Sequence, residues 1–235
     1  MARGGGMTVL VVFDVDGTLL DTAGLHHDLA TKVLADDGLD VTFQPWGAYR
    51  HYTDLGVLDE LYNHARGRAI TPEELARYDQ LYEAALRDHL ATNAIGEIAG
   101  AGALLEGLFA MEHVAVAFAT GSLRRMAGVK LSLLGLDAGD LALATGGEHL
   151  TREAMVEDAM AQAMGDEVPE RVVILGDGIW DQVAADRLGL AFVALETGAH
   201  VFGTGPVETM KDFRTLDAQG LVALAGPRAR TGAPA

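Results

Sequence analysis

Cysteine is absent from the 235 residues. This excludes disulfide frameworks, cysteine-ligated zinc, iron–sulfur clusters and cysteine nucleophiles. Positive charge is scarce: 17 Lys and Arg stand against 34 Asp and Glu, a formal net charge of -17. A chain of that balance does not suit the tracking of a nucleic-acid backbone, which needs phosphates neutralised by Lys and Arg. It also lacks a polybasic patch for anionic lipid. Neither nucleic acid nor a membrane is therefore expected as a partner. Long apolar runs are missing as well. The run ending at Phe13 is stopped at once by Asp14 and Asp16, whereas a spanning helix takes about 20 apolar residues and a signal core about 7–15. The expected place is the cytoplasm.

What is present is enough for a folded enzyme-sized core. Hydrophobic residues make up 49% and charged residues 22%, outside the range of disordered chains. Short β-rich apolar runs occur at Thr8–Phe13, His113–Ala119, Leu141–Ala144, Arg171–Leu175 and Ala191–Leu195. Helix-like stretches lie between them at Ser122–Leu134, Thr151–Met164 and Asp181–Leu188. The alternation predicts an α/β fold, a Rossmann-like doubly wound parallel sheet with helices on both faces. In such sheets ligands bind beyond the carboxyl ends of the strands.

From Ala23 to Asn93 this rhythm is interrupted. The segment holds helical patterns at Leu25–Asp36, Leu55–His64 and Thr71–Leu90 but no buried strand. Thr71-Pro72-Glu73-Glu74 supplies an N-cap, a proline at the first helical position and the acid of a capping box. The organisation expected is a core of residues 7–22 and 94–225, an inserted α-helical cap at 23–93, and flexible ends at 1–6 and 226–235.

Three of the strand ends carry polar signatures. Asp14-Val15-Asp16-Gly17-Thr18 places two carboxylates two residues apart, and strand parity puts both on one side. Carboxylates that close repel unless a cation or a shared proton lies between them, and oxygen-only ligation of this kind favours Mg²⁺. Thr120-Gly121-Ser122 offers a hydroxyl and backbone N–H groups at a helix start, which makes either an N-cap or an anion site. Gly176-Asp177-Gly178-Ile179-Trp180-Asp181 brings two more carboxylates to a turn entering a helix, where one can ligate a metal and the other orient it.

The ordered set of Asp14-Val15-Asp16-Gly17-Thr18, Thr120-Gly121-Ser122 and Asp177 to Asp181 resembles the haloacid dehalogenase-like superfamily, in its branch with a helical cap after the first motif (phosphoglycolate phosphatases and β-phosphoglucomutases). The resemblance covers about Thr8 to Ala225. It implies a hydrolase acting on a small phosphorylated metabolite through an aspartyl-phosphate. Asp14 would be the nucleophile and Asp16 the acid and base. The Asp14 side chain, the Asp16 carbonyl and Asp177 would hold Mg²⁺, with Asp181 in support. Thr120 and the backbone of Gly121 would grip phosphate.

The family's lysine after the third core strand is missing, since Thr145–Glu153 contains none and the chain has only Lys32, Lys130 and Lys211. Arg152 is the expected stand-in, because a guanidinium binds phosphate bidentately and stays charged. Lys130 is expected to lie too far along its helix to reach the site. His26 stands where related sugar-phosphate mutases carry a proton-shuttling histidine. Arg50, in the basic and aromatic stretch Tyr49-Arg50-His51-Tyr52, is a candidate substrate-reading residue. Plain dehalogenation would not need Asp16, Asp177 and Asp181. An imine-forming phosphonate hydrolase would need a cap lysine where Arg50 stands. A mutase and a catalytically silent phosphate-binding module are the remaining alternatives.

Overall fold

The structure is a computed structural model and describes residues 8–39, 42–198 and 200–227. The leader at 1–6 and residues 228–235 of the expected flexible tail lie outside these. Strand β1 (Val9–Phe13) is buried along its whole length. It pairs in parallel on one side with β2 (Val114–Thr120) and on the other with β4 (Arg171–Gly176). Beyond β2 lies β3 (Ala142–Thr145), and beyond β4 come β5 (Ala191–Leu195) and the short β6 (Glu208–Met210). The order β3-β2-β1-β4-β5-β6 is that of a doubly wound sheet, in which strand order reverses beside β1. Gly226 and Pro227, expected to fray, instead form β7, which pairs antiparallel with the start of β4.

A strand covered on both faces must be apolar at consecutive positions, not at alternate ones. β1 shows the consequence. Val9, Val11 and Phe13 pack into one apolar cluster, on the side of helix α4 (Ala101–Phe109) and α8 (Ala218–Leu224). Leu10 and Val12 pack into a second, against α6 (Arg152–Met164) and α7 (Ile179–Leu188).

The helical insert consists of α1 (Ala23–Asp36), α2 (Asp54–Arg66) and α3 (Pro72–Leu90). The capping box expected at Thr71 is formed in both directions with Glu74. The three helices share an apolar cluster of their own, built on Leu34, Leu58, Tyr62, Tyr78, Tyr82 and Leu86, and it also takes in Leu123, Met126 and Val129. The last two belong to α5 (Arg124–Ser132). The helix after β2 therefore serves both units. Its inner face carries the insert and its N-terminus approaches the strand ends. Among the described residues no helix is long and apolar enough to cross a membrane.

Candidate active site

The register of the sheet fixes where the chemistry gathers. Phe13 stands opposite both Phe118 and Leu175, so Asp14, Thr120 and Asp177 all emerge within two residues of one line across the sheet. The Asp14 N–H continues the ladder by donating to the Leu175 carbonyl (2.9 Å). The chain then turns at Gly17, whose φ of 71° suits only glycine at low cost. A Cβ there would also fall 2.1 Å from Asp177 Oδ2. The turn is thus tight because a carboxylate occupies the space a side chain would need.

These residues border a compact cavity of about 50 Å³, a space on the scale of a few waters or one phosphoryl group. Asp14, Asp16, Asp177, Arg152, Gly121 and Ser122 line it from the core, with Trp180 at the mouth, and Ala23, His26 and Tyr52 line it from the insert. The two carboxylates of the first motif do share one cavity, as strand parity requires.

Arg152 opens α6 behind the N-cap Thr151, whose hydroxyl accepts the Ala154 N–H. The loop before it is held by an Arg124–Glu148 ion pair, with Nη2 2.8 Å from Oε2. From there Arg152 reaches back over the strand ends. Its Nη2 donates to Asp14 Oδ1 (2.7 Å) and its Nε to Asp181 Oδ1 (2.8 Å). All three side chains are buried. Burial works against the guanidinium charge, but the two carboxylates outweigh it and raise the Arg152 pKa further.

One cation does not balance this group. Carboxylate oxygens of Asp14, Asp177 and Asp181 lie within 4.8 Å of one another, all on buried residues. Burial, offset only in part by Arg152, raises Asp14 from 3.8 to about 7. Asp177 is pushed by burial and then by Asp14 and Asp181 to about 9. Asp181 is also raised by burial, against the pull of Arg152. Among the described residues no donor hydrogen-bonds Asp177. Three crowded oxygen donors, one of them without a hydrogen-bonding partner, form a donor set that fits a hard divalent cation.

Asp16 lives in the opposite environment. Its Oδ1 accepts from Thr22 Oγ1 (2.6 Å) and its Oδ2 from Ser122 Oγ (2.8 Å). The Lys130 ammonium stands 2.5 Å from Oδ1. Burial alone would raise the Asp16 pKa, yet Lys130 and His26 hold it well below the usual carboxylate range. The expectation that Lys130 lies too far along its helix is therefore wrong. α5 starts at Arg124, two residues later than the sequence pattern implies. Helical side chains also lean toward the N-terminus, so a long lysine stem brings its ammonium back up the helix to the strand ends.

The other expected positions divide. Thr120 is fully buried and its hydroxyl accepts the Ser122 N–H (3.2 Å), so it closes the loop while Gly121 and Ser122 form the wall. Gly146 sits so close to this loop that a Cβ would fall 1.9 Å from the Gly121 carbonyl oxygen. His26 is brought in: its Nδ1 lies 3.1 Å from Ser122 Oγ and its Nε2 3.1 Å from Asp54 Oδ1. Arg50 is not brought in. It is exposed, its backbone N–H donates to Glu60, and it is not on the cavity wall. The wall takes Tyr52 instead, two residues on, whose ring stacks on Trp180 at 5.5 Å between centroids. In sequence Lys130 is weighed and set aside, and Asp54 is given no role in the site. Ser122, Tyr52 and Trp180 stand inside the stretches named there, and that position was the signal that could have marked them.

The insert is seated on these same loops. Asp54 N–H donates to the Gly121 carbonyl and Leu55 N–H to that of Gly146 (both 2.9 Å). Thr53 Oγ1 donates to the Leu150 carbonyl (3.1 Å), and Asp54 Oδ2 accepts the Leu123 N–H (2.9 Å) at the start of α5.

A doubly wound sheet with an acidic cluster at its switch point and a helical insert after β1 defines a class, and comparison places the chain within it. Residues 11–195 match the family described as haloacid dehalogenase-like hydrolase, and the chain belongs to that family. No curated protein matches the sequence. Among solved structures, CbbY from Rhodobacter sphaeroides in complex with phosphate is 21% identical, with a TM-score of 0.70 over 92% of this chain and 99% of that one. A mutant of the same protein in complex with xylulose-(1,5)bisphosphate is 20% identical, with a TM-score of 0.72 over the same shares. A predicted phosphoglycolate phosphatase from Haemophilus somnus is 19% identical, with a TM-score of 0.63 over 93% and 98%. At these identities the likeness is one of fold.

Proposed function

We propose that this chain is a Mg²⁺-dependent phosphatase that hydrolyses a small phosphate monoester through an aspartyl-phosphate on Asp14. The observation that carries the reading is the pairing of Asp14 with Arg152 inside a cavity that also holds Asp16 and the Asp177–Asp181 cluster. Phosphoryl transfer asks mainly for positioning and charge neutralisation, and this site is organised around both. The complexes of CbbY with phosphate and with a sugar bisphosphate support the substrate class. With no membrane span among the described residues, we place the enzyme in the cytoplasm.

In the first step an Asp14 oxygen attacks phosphorus and the bond from phosphorus to the leaving oxygen breaks; Asp16, ionised in the free site, relays to that oxygen a proton that the phosphate ester brings in as its monoanion. In the second, Asp16 takes a proton from water as the water oxygen attacks the aspartyl-phosphate. Inorganic phosphate leaves and the Asp14 carboxylate is restored. Asp14, Asp177 and the Asp16 carbonyl, supported by Asp181, would hold Mg²⁺, which when bound supplies positive charge against the repulsion between carboxylate and phosphate. Arg152 keeps Asp14 aimed and neutralises charge on the transferring group. The backbone of Gly121 binds a phosphate oxygen, in a loop that Thr120 holds through the Ser122 N–H. The insert acts as a cap that excludes water and chooses the leaving group.

A second reading, a sugar-phosphate mutase, is favoured by His26 Nδ1 lying 3.6 Å from Asp16 Oδ2. A mutase would return the phosphoryl group to sugar. A panel of metabolite phosphates, assayed with and without Mg²⁺ for released phosphate and for isomerised sugar, separates the two. Asp14→Asn should abolish either activity, and full turnover in EDTA would refute the metal-dependent mechanism.

A further inference from the structure

Lys130 is buried to 1% exposure, and the catalytic steps above assign it nothing. Burying an ammonium costs several kcal/mol unless it is paired and fully hydrogen-bonded, so its partners show what it is there for. Its ammonium has three polar partners in reach: Asp16 Oδ1 at 2.5 Å, Ser122 Oγ at 2.8 Å and His26 Nδ1 at 3.2 Å. Each partner comes from a different part of the molecule, namely the catalytic loop after β1, the loop after β2 and helix α1 of the insert. The site therefore has two cations with separate tasks. Arg152 holds Asp14, and Lys130 holds Asp16.

We propose that Lys130 is a positioning residue for the acid–base step. It fixes the Asp16 carboxylate against the phosphate loop and couples that orientation to seating of the insert through His26. Resting on the phosphatase reading, the proposal makes a specific demand. Asp16 matters most when the leaving group is a poor one that needs a proton, and least when the leaving group departs unaided. A residue that acts only through Asp16 must share that selectivity.

The test is turnover of p-nitrophenyl phosphate, which has a good leaving group, against glycerol phosphate, which has a poor one. It is run for wild type, Lys130→Met, Asp16→Asn and the double variant, with thermal denaturation of each. Lys130→Met should lower kcat on glycerol phosphate by roughly ten- to a hundredfold, within the range of acid–base contributions, and on p-nitrophenyl phosphate by less than about threefold with KM little changed. In the Asp16→Asn background Lys130→Met should add no further loss, because residues acting as one unit are non-additive. Lys130→Arg, which keeps the charge, serves if the methionine variant does not fold, and should retain a better ratio of the two substrates than Lys130→Gln. Equal losses on both substrates, or full additivity with Asp16→Asn, would overturn the proposal while leaving the phosphatase reading intact. Absence of any Asp14-dependent hydrolysis by wild type would overturn both.

Discussion

At the level of single residues the site is a division of charge. Asp14 has Arg152, Asp16 has Lys130, and Asp177 has no donor among the described residues. On the proposed mechanism Arg152 neutralises the Asp14 nucleophile without donating a proton, so Arg152→Ala should cost roughly 10²–10³ in kcat, the loss that follows removal of one preorganised donor. Arg152→Lys should recover only part, since lysine cannot hold Asp14 and Asp181 with a fork. Steady-state kinetics on any accepted phosphate ester checks both. Asp177 behaves in the opposite sense in the free protein. Its burial beside two other carboxylates is unfavourable until a cation arrives, so Asp177→Asn should raise the melting temperature of the metal-free protein while weakening Mg²⁺ binding at least about tenfold. Calorimetric titration and a melt in EDTA measure the two effects, and unchanged affinity would mean that the metal is held elsewhere. Of these residues, Arg152 was legible because the resemblance implies a cation after the third core strand and Thr145–Glu153 contains no lysine. Lys130 was not legible, because its distance from the site depends on where α5 begins and how the helix is tipped.

Among the elements, α5 and the start of α2 decide how the insert meets the core. The Leu123 N–H at the head of α5 would be an unsatisfied helix-end donor, and the carboxylate that satisfies it comes from Asp54, across the cleft. Asp54→Ala would leave that donor buried and remove the carboxylate that His26 Nε2 meets at 3.1 Å, so a loss of about 1–3 kcal/mol is expected. Asp54→Asn, which keeps an acceptor oxygen, should lose less. Thermal denaturation gives the ranking, and faster hydrogen exchange at Leu123 in the alanine variant would locate the effect. The five core strands could be read from their apolar runs because both faces of the sheet are covered. Helix α4 escaped notice because Ala101–Phe109 is short, is apolar or glycine at every position but Glu106, and is preceded by Gly100 rather than a side-chain cap. β6 and β7 are two or three residues long and carry no periodicity that could announce them. The contact between Asp54 and Leu123 spans 69 positions, and nothing local in either segment requires it.

For the whole molecule the acidity becomes a dependence on pH. Asp14 and Asp177 have folded-state values raised from 3.8 to about 7 and about 9. Between these limits the two carboxyls bind more protons in the folded protein than in the unfolded chain, so the stability they contribute is full below about pH 4 and is lost as pH rises through 7 and then 9. Self-repulsion of a chain with net charge -17 acts in the same direction. The melting temperature in EDTA should therefore fall from pH 5 to pH 9. Saturating Mg²⁺ should flatten the curve, and Asp177→Asn should remove its upper part. A metal-free melting temperature that rises over this interval would contradict the assignment.

The seating of the insert has a consequence for how such a protein can change. Two of its bonds to the core run from the amides of Asp54 and Leu55 to the carbonyls of Gly121 and Gly146. Both partners are main chain, so on the insert side proline alone would delete a donor, while on the core side the joint asks for glycine, since a Cβ at Gly146 would fall 1.9 Å from the Gly121 oxygen. The joint thus constrains two core glycines and little of the insert's side chains, and Tyr52 on the cavity wall lies outside it. If the insert chooses the leaving group as proposed, a lineage can exchange one phosphate ester for another by altering its inner wall, with no need to remake the joint that seats it.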